Sequence, residues 1–284
     1  MEREFDAQEQ QHPVKSSYIL DNAAREAAAR FPALSASFDR DTIRRLEQLE
    51  IGTGSRCLEV GGGGGSIAAW FASRAGPTGR VMVTDLDTRF LESLHLPNTD
   101  VRRHDIATDP LPGDAFDIVH ARLVLGHVRE RERALAQMVA AVRPGGWILI
   151  EEFDSTMAPN PSLHSAEVLS KTYVAMTRLM EDRGVDRTFG RRLFGCLRVM
   201  GLENVAAEGR TFMWPAGSPG PLLMRANYEQ LRADMVSGGY VTANEFEEDL
   251  AALDGPEFLM PSPILWAAWG RRRPTLLSQR VVGS

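Results

Sequence analysis

The apolar positions change period along the chain. Residues 18–31, YILDNAAREAAARF, place Leu20, Ala23, Ala24, Ala27, Ala28 and Phe31 at helical spacing, which predicts an amphipathic helix. A second helix over 39–50 carries Ile43, Leu46 and Leu49 on one face and ends at GTGS, residues 52–55. Short apolar runs then alternate with helical stretches. Strands are predicted at 56–60, 79–85, 101–105, 116–122 and 147–153, with helices at 66–75, 88–94 and 130–142 between them. Strands separated by helices argue for an α/β fold with a parallel, doubly wound, Rossmann-like sheet, whose ligands bind beyond the carboxyl ends of the strands. After Phe153 the rhythm shifts to a long helix over 162–183. The core pattern resumes at FGRRLFGCLRVMGLENV, followed by a strand over 204–212, helices over 220–237 and 242–253, and a last strand over 258–270. The organisation expected is an N-terminal helical extension or lid (1–50), a ligand-binding core (51–155), a helical insertion (156–190) and a C-terminal part that completes the sheet and adds substrate-side helices (191–284).

Composition narrows the function classes. A chain of 284 residues with 43% apolar and 25% charged residues can bury a sizeable core. It contains no run of 18 apolar residues, and it begins with the polar MEREFDAQEQQHPVK, so neither a membrane span nor a secretory signal is expected and the reading is cytoplasmic. Cys57 and Cys196 lie in apolar stretches and read as small core residues, and the six histidines make no metal-ligand spacing. The net charge of −6, with scattered basic residues, argues against nucleic acid as a partner. A small molecule is the expected partner, and a homo-oligomer is left open.

The segment CLEVGGGGGS, 57–66, carries the candidate chemistry. A strand, a glycine turn and a helix make a cradle for a polar ligand, because glycine lets a ligand touch the backbone and the helix start offers free N–H groups. Alone, the pattern passes equally for a relaxed dinucleotide fingerprint. Asp85 ends the next strand, where a carboxylate suits a ribose diol in either case. Three segments bear on the choice: Glu59 just before Gly61-Gly-Gly63-Gly-Gly65, then VRRHDIATDPLP, and FDIVHARLVLGHV leading through a helix to VRPGGWILIEEFD. As a set, over about residues 50–155, these resemble class I S-adenosylmethionine-dependent methyltransferases of the small-molecule, natural-product type. The resemblance implies a seven-stranded sheet and S-adenosyl-L-methionine as cofactor, with S-adenosyl-L-homocysteine as product. It implies that Glu59 organises the cofactor's amino group beside Gly61, Gly63 and Gly65, that Asp85 and Leu86 take the ribose side, that Asp105 and Ile106 meet the adenine, and that Ala121 and Arg122 line the methionine moiety. Asp87 reads equally as a helix cap. Gly62 and Gly64 stand where many relatives carry larger residues.

For the acceptor, His127 is the candidate general base, since an ordinary pKa of about 6.5 suits removal of a hydroxyl proton; a histidine that shapes the pocket floor is the competing reading. Glu152 and Asp154 follow the fifth strand on the acceptor side. Tyr18, Met157, Tyr173 and Met176, with Met180, are expected to close an apolar pocket, although Tyr173, Met176 and Met180 also fit the buried face of a helix. The function expected is methyl transfer to an oxygen or carbon of a small, partly apolar metabolite in secondary metabolism. The alternative is a fold that binds S-adenosylmethionine without methylating, as a cyclase, decarboxylase or non-catalytic subunit; a nicotinamide-dependent oxidoreductase stands third.

Overall fold

The computed structural model describes residues 18–20, 22, 25–156 and 170–274. Strands β1 (Arg56–Val60), β2 (Arg80–Asp85), β3 (Thr99–Arg103), β4 (Phe116–Arg122) and β5 (Val142–Asp154) are parallel, and they alternate with helices α2 (Ser66–Ala75), α3 (Arg89–Glu92) and α4 (Arg131–Ala141). Beyond them lie helices α5 (Ser170–Asp182) and α6 (Phe189–Val199), then β6 (Glu203–Arg210), β7 (Met213–Pro215), α7 (Pro219–Ser237), α8 (Ala243–Asp254), β8 (Leu259–Pro261) and β9 (Ile264–Arg271). The seven-stranded sheet runs β3-β2-β1-β4-β5-β9-β6, with β9 antiparallel to both neighbours. This is the Rossmann-like class I methyltransferase fold expected from the sequence. The reversal of strand order at β1 and β4 opens the crevice in which such sheets bind ligands.

Two predicted elements differ in their ends. The helices expected over 18–31 and 39–50 are one helix, α1 (Ala27–Leu46), which runs through Pro32. Proline there removes a single hydrogen bond, and burial of Phe31, Ala33, Phe38, Thr42 and Leu46 along the helix outweighs that loss. The last strand is two, because Pro261 and Pro263 interrupt the ladder and β8 pairs instead with β7 in a separate two-stranded sheet.

The apolar core is layered. Leu58, Val119, Ile148 and Ile150 pack under α4 and α6 on one face of the sheet, while Cys57, Val81, Ile118 and Leu149 pack against Phe71 of α2 and Leu46 of α1 on the other. A further cluster stands over the carboxyl ends of the strands, built from Phe38 of α1, Met176 and Leu179 of α5, Met224, Tyr228 and Leu231 of α7, and Phe246 of α8. The cap over the crevice therefore draws on α7 and α8 as well as on the N-terminal helix and the insertion. Among the described residues no helix is long and apolar enough to cross a membrane.

Candidate active site

The glycine turn is shaped by backbone geometry and by packing. Gly61, Gly63 and Gly65 take φ of +70°, +53° and +79°, the left-handed region in which a side chain is strained. Gly62 and Gly64 are limited by space: a Cβ on Gly62 would lie 2.3 Å from Val83, and one on Gly64 would lie 2.7 Å from Phe31. Gly64 thus lets Phe31 of α1 settle onto the turn, while Gly62 leaves room for Val83 and Leu91. The Gly61 and Gly62 N–H groups both donate to the Thr84 carbonyl, and the Gly63 N–H donates to Asp85 Oδ2 at 2.8 Å.

Asp85 is almost buried, and its other oxygen accepts from Asn22 Nδ2 and the Asp87 N–H. Burial raises its pKa, against the backbone donors. Asp87 binds Arg89.

A cavity of ≈ 480 Å³ opens above these residues, between the strand ends and the cap. Its lining contains Glu59, Gly61, Gly63, Asp85 and Leu86, then Asp105, Ile106 and Arg122. At the cap Tyr18, Tyr173, Met176, Met180, Trp214 and Met224 also line it. His127 and Glu152 line it as well. These residues, named from the sequence, share the lining of one cavity with many that were not. Three residues named from the sequence stand outside this lining. Gly65 is the N-cap of α2 and lies outside the lining. Ala121 is fully buried in the core under the sheet, so its side chain cannot contact a ligand in the cavity. Asp154 is turned away from the acceptor side: it is fully buried, pairs with Arg191 and accepts from Thr156. Burial opposes its ionisation, but those partners prevail and hold its carboxyl below the ordinary value. Met157 lies outside the described residues.

Beneath the cavity runs a buried charge network whose key member the sequence reading missed. His120 of β4 stands directly across from Glu59 of β1 in the strand register, and its Nδ1 lies 2.6 Å from Glu59 Oε2. Its Nε2 lies 3.2 Å from Glu151 Oε2, which also accepts from Thr42 of α1 at 2.6 Å. Arg122 donates to Thr42 and to Asp39. Burial works against a charged His120, yet the two glutamates more than compensate and raise its pKa to about 9. Glu59 in turn is raised by burial, a shift its histidine limits. The available signal was a histidine inside an apolar run, with glutamates in two other predicted strands.

The loop after β4 is strained. Leu123 adopts φ +58°, a conformation costly for a bulky residue. Glu152 holds the loop by accepting the N–H groups of Val124 at 2.9 Å and Leu125 at 2.6 Å. Burial raises its pKa to about 7 in spite of these donors. Val124, so fixed, covers Gly61. His127 ends the following single turn of 3-10 helix, Leu125–His127, with its ring edge-on to Tyr18 at 4.9 Å. Burial, aided by Arg30 and Arg131, lowers its pKa to about 4. It is a neutral imidazole at neutral pH and a much weaker base than its ordinary value promised.

Residues 25–206 match a family model described as a methyltransferase domain. The chain belongs to that family. Among curated relatives it is 34% identical over 120 residues to the ubiquinone/menaquinone biosynthesis C-methyltransferase UbiE of Cupriavidus taiwanensis, an alignment covering 40% of this chain and 49% of that protein. It is 30% identical over 168 residues to methyltransferase str2 of Strobilurus tenacellus, covering 58% and 59%. The chain thus spans about half the length of the first of these relatives. Among solved structures, YcgJ of Bacillus subtilis superposes with a TM-score of 0.55 at 14% identity, covering 81% of this chain and 97% of that one. The phosphoethanolamine N-methyltransferase 2 of Haemonchus contortus, solved with S-adenosyl-L-methionine, gives 0.52 at 16% identity, covering 83% and 53%. These likenesses are of fold.

The donor set of this methyltransferase-domain protein fits the cofactor of such folds. Asp85 and Asp105 offer acceptors for hydroxyl and amino groups, Ile106 and Leu86 offer apolar surface, and Glu59 supplies a carboxylate beside the turn. Among the described residues no cluster of metal-ligating side chains occurs.

Proposed function

We propose that the protein transfers a methyl group from S-adenosylmethionine to a carbon or an ionised oxygen of a small, partly apolar, hydroxylated acceptor. The observation that carries this reading is one cavity whose lining joins the glycine turn, Asp85 and Asp105 to an aromatic, methionine-rich wall. Glu59, the glycine turn, Asp85, Asp105 and Ile106 would hold the cofactor, which when bound supplies an electrophilic methyl group on a sulfonium. The chain's own task is then to align the acceptor and exclude water. Tyr18, Tyr173, Met176, Met180, Trp214 and Met224 supply the apolar enclosure, and methionine adapts it to an irregular ligand. His127, neutral and weakly basic, orients the acceptor, while Glu152 keeps the loop that carries His127 in place. Weak basicity favours acceptors that need little help in losing a proton, such as phenols, enols and electron-rich rings. The names of the curated C-methyltransferase relatives agree with that preference.

The test is turnover with a panel of phenols, hydroquinones and enolisable compounds, followed by mass spectrometry of both products. Formation of S-adenosylhomocysteine together with an acceptor gaining one methyl group supports the reading. Tight cofactor binding without turnover on any member of the panel would move the assignment to a non-methylating role.

A further inference from the structure

The cavity contains a buried cation whose partners among the described residues are all neutral. Arg30 of α1 retains 4% of its surface exposed and lines the cavity. Its guanidinium donates to the Leu20 carbonyl at 3.0 Å, to Asn22 Oδ1 at 2.6 Å and to Gln230 Oε1 of α7, and it lies 5.2 Å from the centre of the Phe31 ring. Among the described residues no carboxylate lies within ion-pair distance of it. Two other arginines in the wall differ: Arg122 is paired with Asp39, and Arg187 with Glu181. A buried guanidinium needs a counter-charge to offset its lost hydration, and its planar fork matches a carboxylate.

The position of Arg30 decides which carboxylate. Its neighbour Phe31 lies on the glycine turn, where a Cβ on Gly63 would meet the ring at 2.8 Å. Its partner Asn22 donates in turn to Asp85 Oδ1. The guanidinium is thereby tied on one side to the turn and on the other to the carboxylate at the end of β2. Both ties lie at the end of the cavity assigned above to the cofactor, and the same guanidinium also acts on Tyr18 and His127. We infer that Arg30 is the anchor for the α-carboxylate of the cofactor's methionyl group, and that α1 is a cofactor-binding element as well as a cover. The inference rests on the proposed use of S-adenosylmethionine. It adds a charged residue to that site from a segment outside the glycine, aspartate and strand motifs.

Binding of two ligands that differ only in this carboxylate, S-adenosylmethionine and decarboxylated S-adenosylmethionine, tests it by calorimetry without any acceptor. The wild type is expected to bind the carboxylate-bearing ligand at least tenfold more tightly. In Arg30→Met that preference should collapse to threefold or less, with affinity for the decarboxylated ligand changed by less than threefold. Arg30→Lys, which keeps the charge and loses the fork, should retain part of the preference, and it replaces Arg30→Met if the latter shows no native melting transition. Equal weakening of both ligands would reduce Arg30 to a packing role and overturn the inference. So would unchanged affinity for S-adenosylmethionine with a raised KM for the acceptor, which would assign the cation to the acceptor instead. A wild type that binds neither ligand would overturn the cofactor reading itself.

Discussion

His120 and His127 stand seven positions apart in sequence and are driven in opposite directions by their surroundings. His120 lies between two glutamates, so the folded state holds its proton more tightly than the unfolded chain does. Stability from this site is whole below pH 6.5 and is lost as the pH rises towards 9. The shift corresponds to on the order of 3 kcal/mol. Melting curves of the wild type should therefore fall more steeply between pH 6.5 and 9 than those of His120→Gln; parallel curves would show that the imidazolium contributes nothing. His127 is already neutral at pH 6, so the rate should not track the titration of an ordinary histidine. Glu152, raised by burial to about 7, titrates near neutrality, and its ionised form accepts the loop N–H groups. kcat/KM is expected to rise with pH through about 7 in the wild type and in His127→Asn, and to lose that inflection in Glu152→Gln. A rise that disappears in His127→Asn and survives in Glu152→Gln would restore the histidine as base. The cost of His127→Asn should stay at about tenfold or below, less than the 10²–10⁴ of a positioned base.

At the scale of elements, the alternating strands and helices were legible because each buried strand is a short apolar run and each helix shows its own period. The glycine turn, Asp85, Asp105 and Ile106 were legible too, since they sit at strand ends, where the fold leaves little freedom. Helix α1 was misread as two because Pro32 looks like a stop when its tertiary contacts are unseen. That difference matters for the lid. If the first 36 residues were only a cover, their deletion would leave a folded core. In the structure the cut falls inside α1 and removes Arg30, Phe31 and Ala33, while stranding Phe38, Thr42 and Leu46, all of which are buried. Deletion of residues 1–36 is thus expected to lower the melting temperature and to abolish cofactor binding along with turnover. A truncated protein that melts like the wild type and still binds S-adenosylhomocysteine would mean that α1 is an independent lid.

Taken whole, the molecule joins a sheet whose strand ends carry the glycine turn, Asp85 and Asp105 to a cap assembled from four helices distant in sequence. The cap was the least legible part. Its helices meet only through tertiary packing, and α7, expected among the substrate-side helices, contributes Leu223, Met224 and Asn227 to the cavity, none of which its sequence singled out. The buried network was hidden for a related reason, because Glu59, His120, Glu151 and Thr42 come together only once strand order and register are known. What unites both halves is the claim that the cofactor lies on the glycine turn under α1. Calorimetric titration of S-adenosylhomocysteine into the wild type and Gly63→Val, side by side, tests that claim most directly. Valine at 63 must take a left-handed φ and displace Phe31, so it disrupts the turn and its cover together. The expected result is one site per chain in the wild type and affinity weakened at least a hundredfold in a variant that still melts cooperatively. Absence of binding to the wild type, or equal binding to the folded variant, would contradict it.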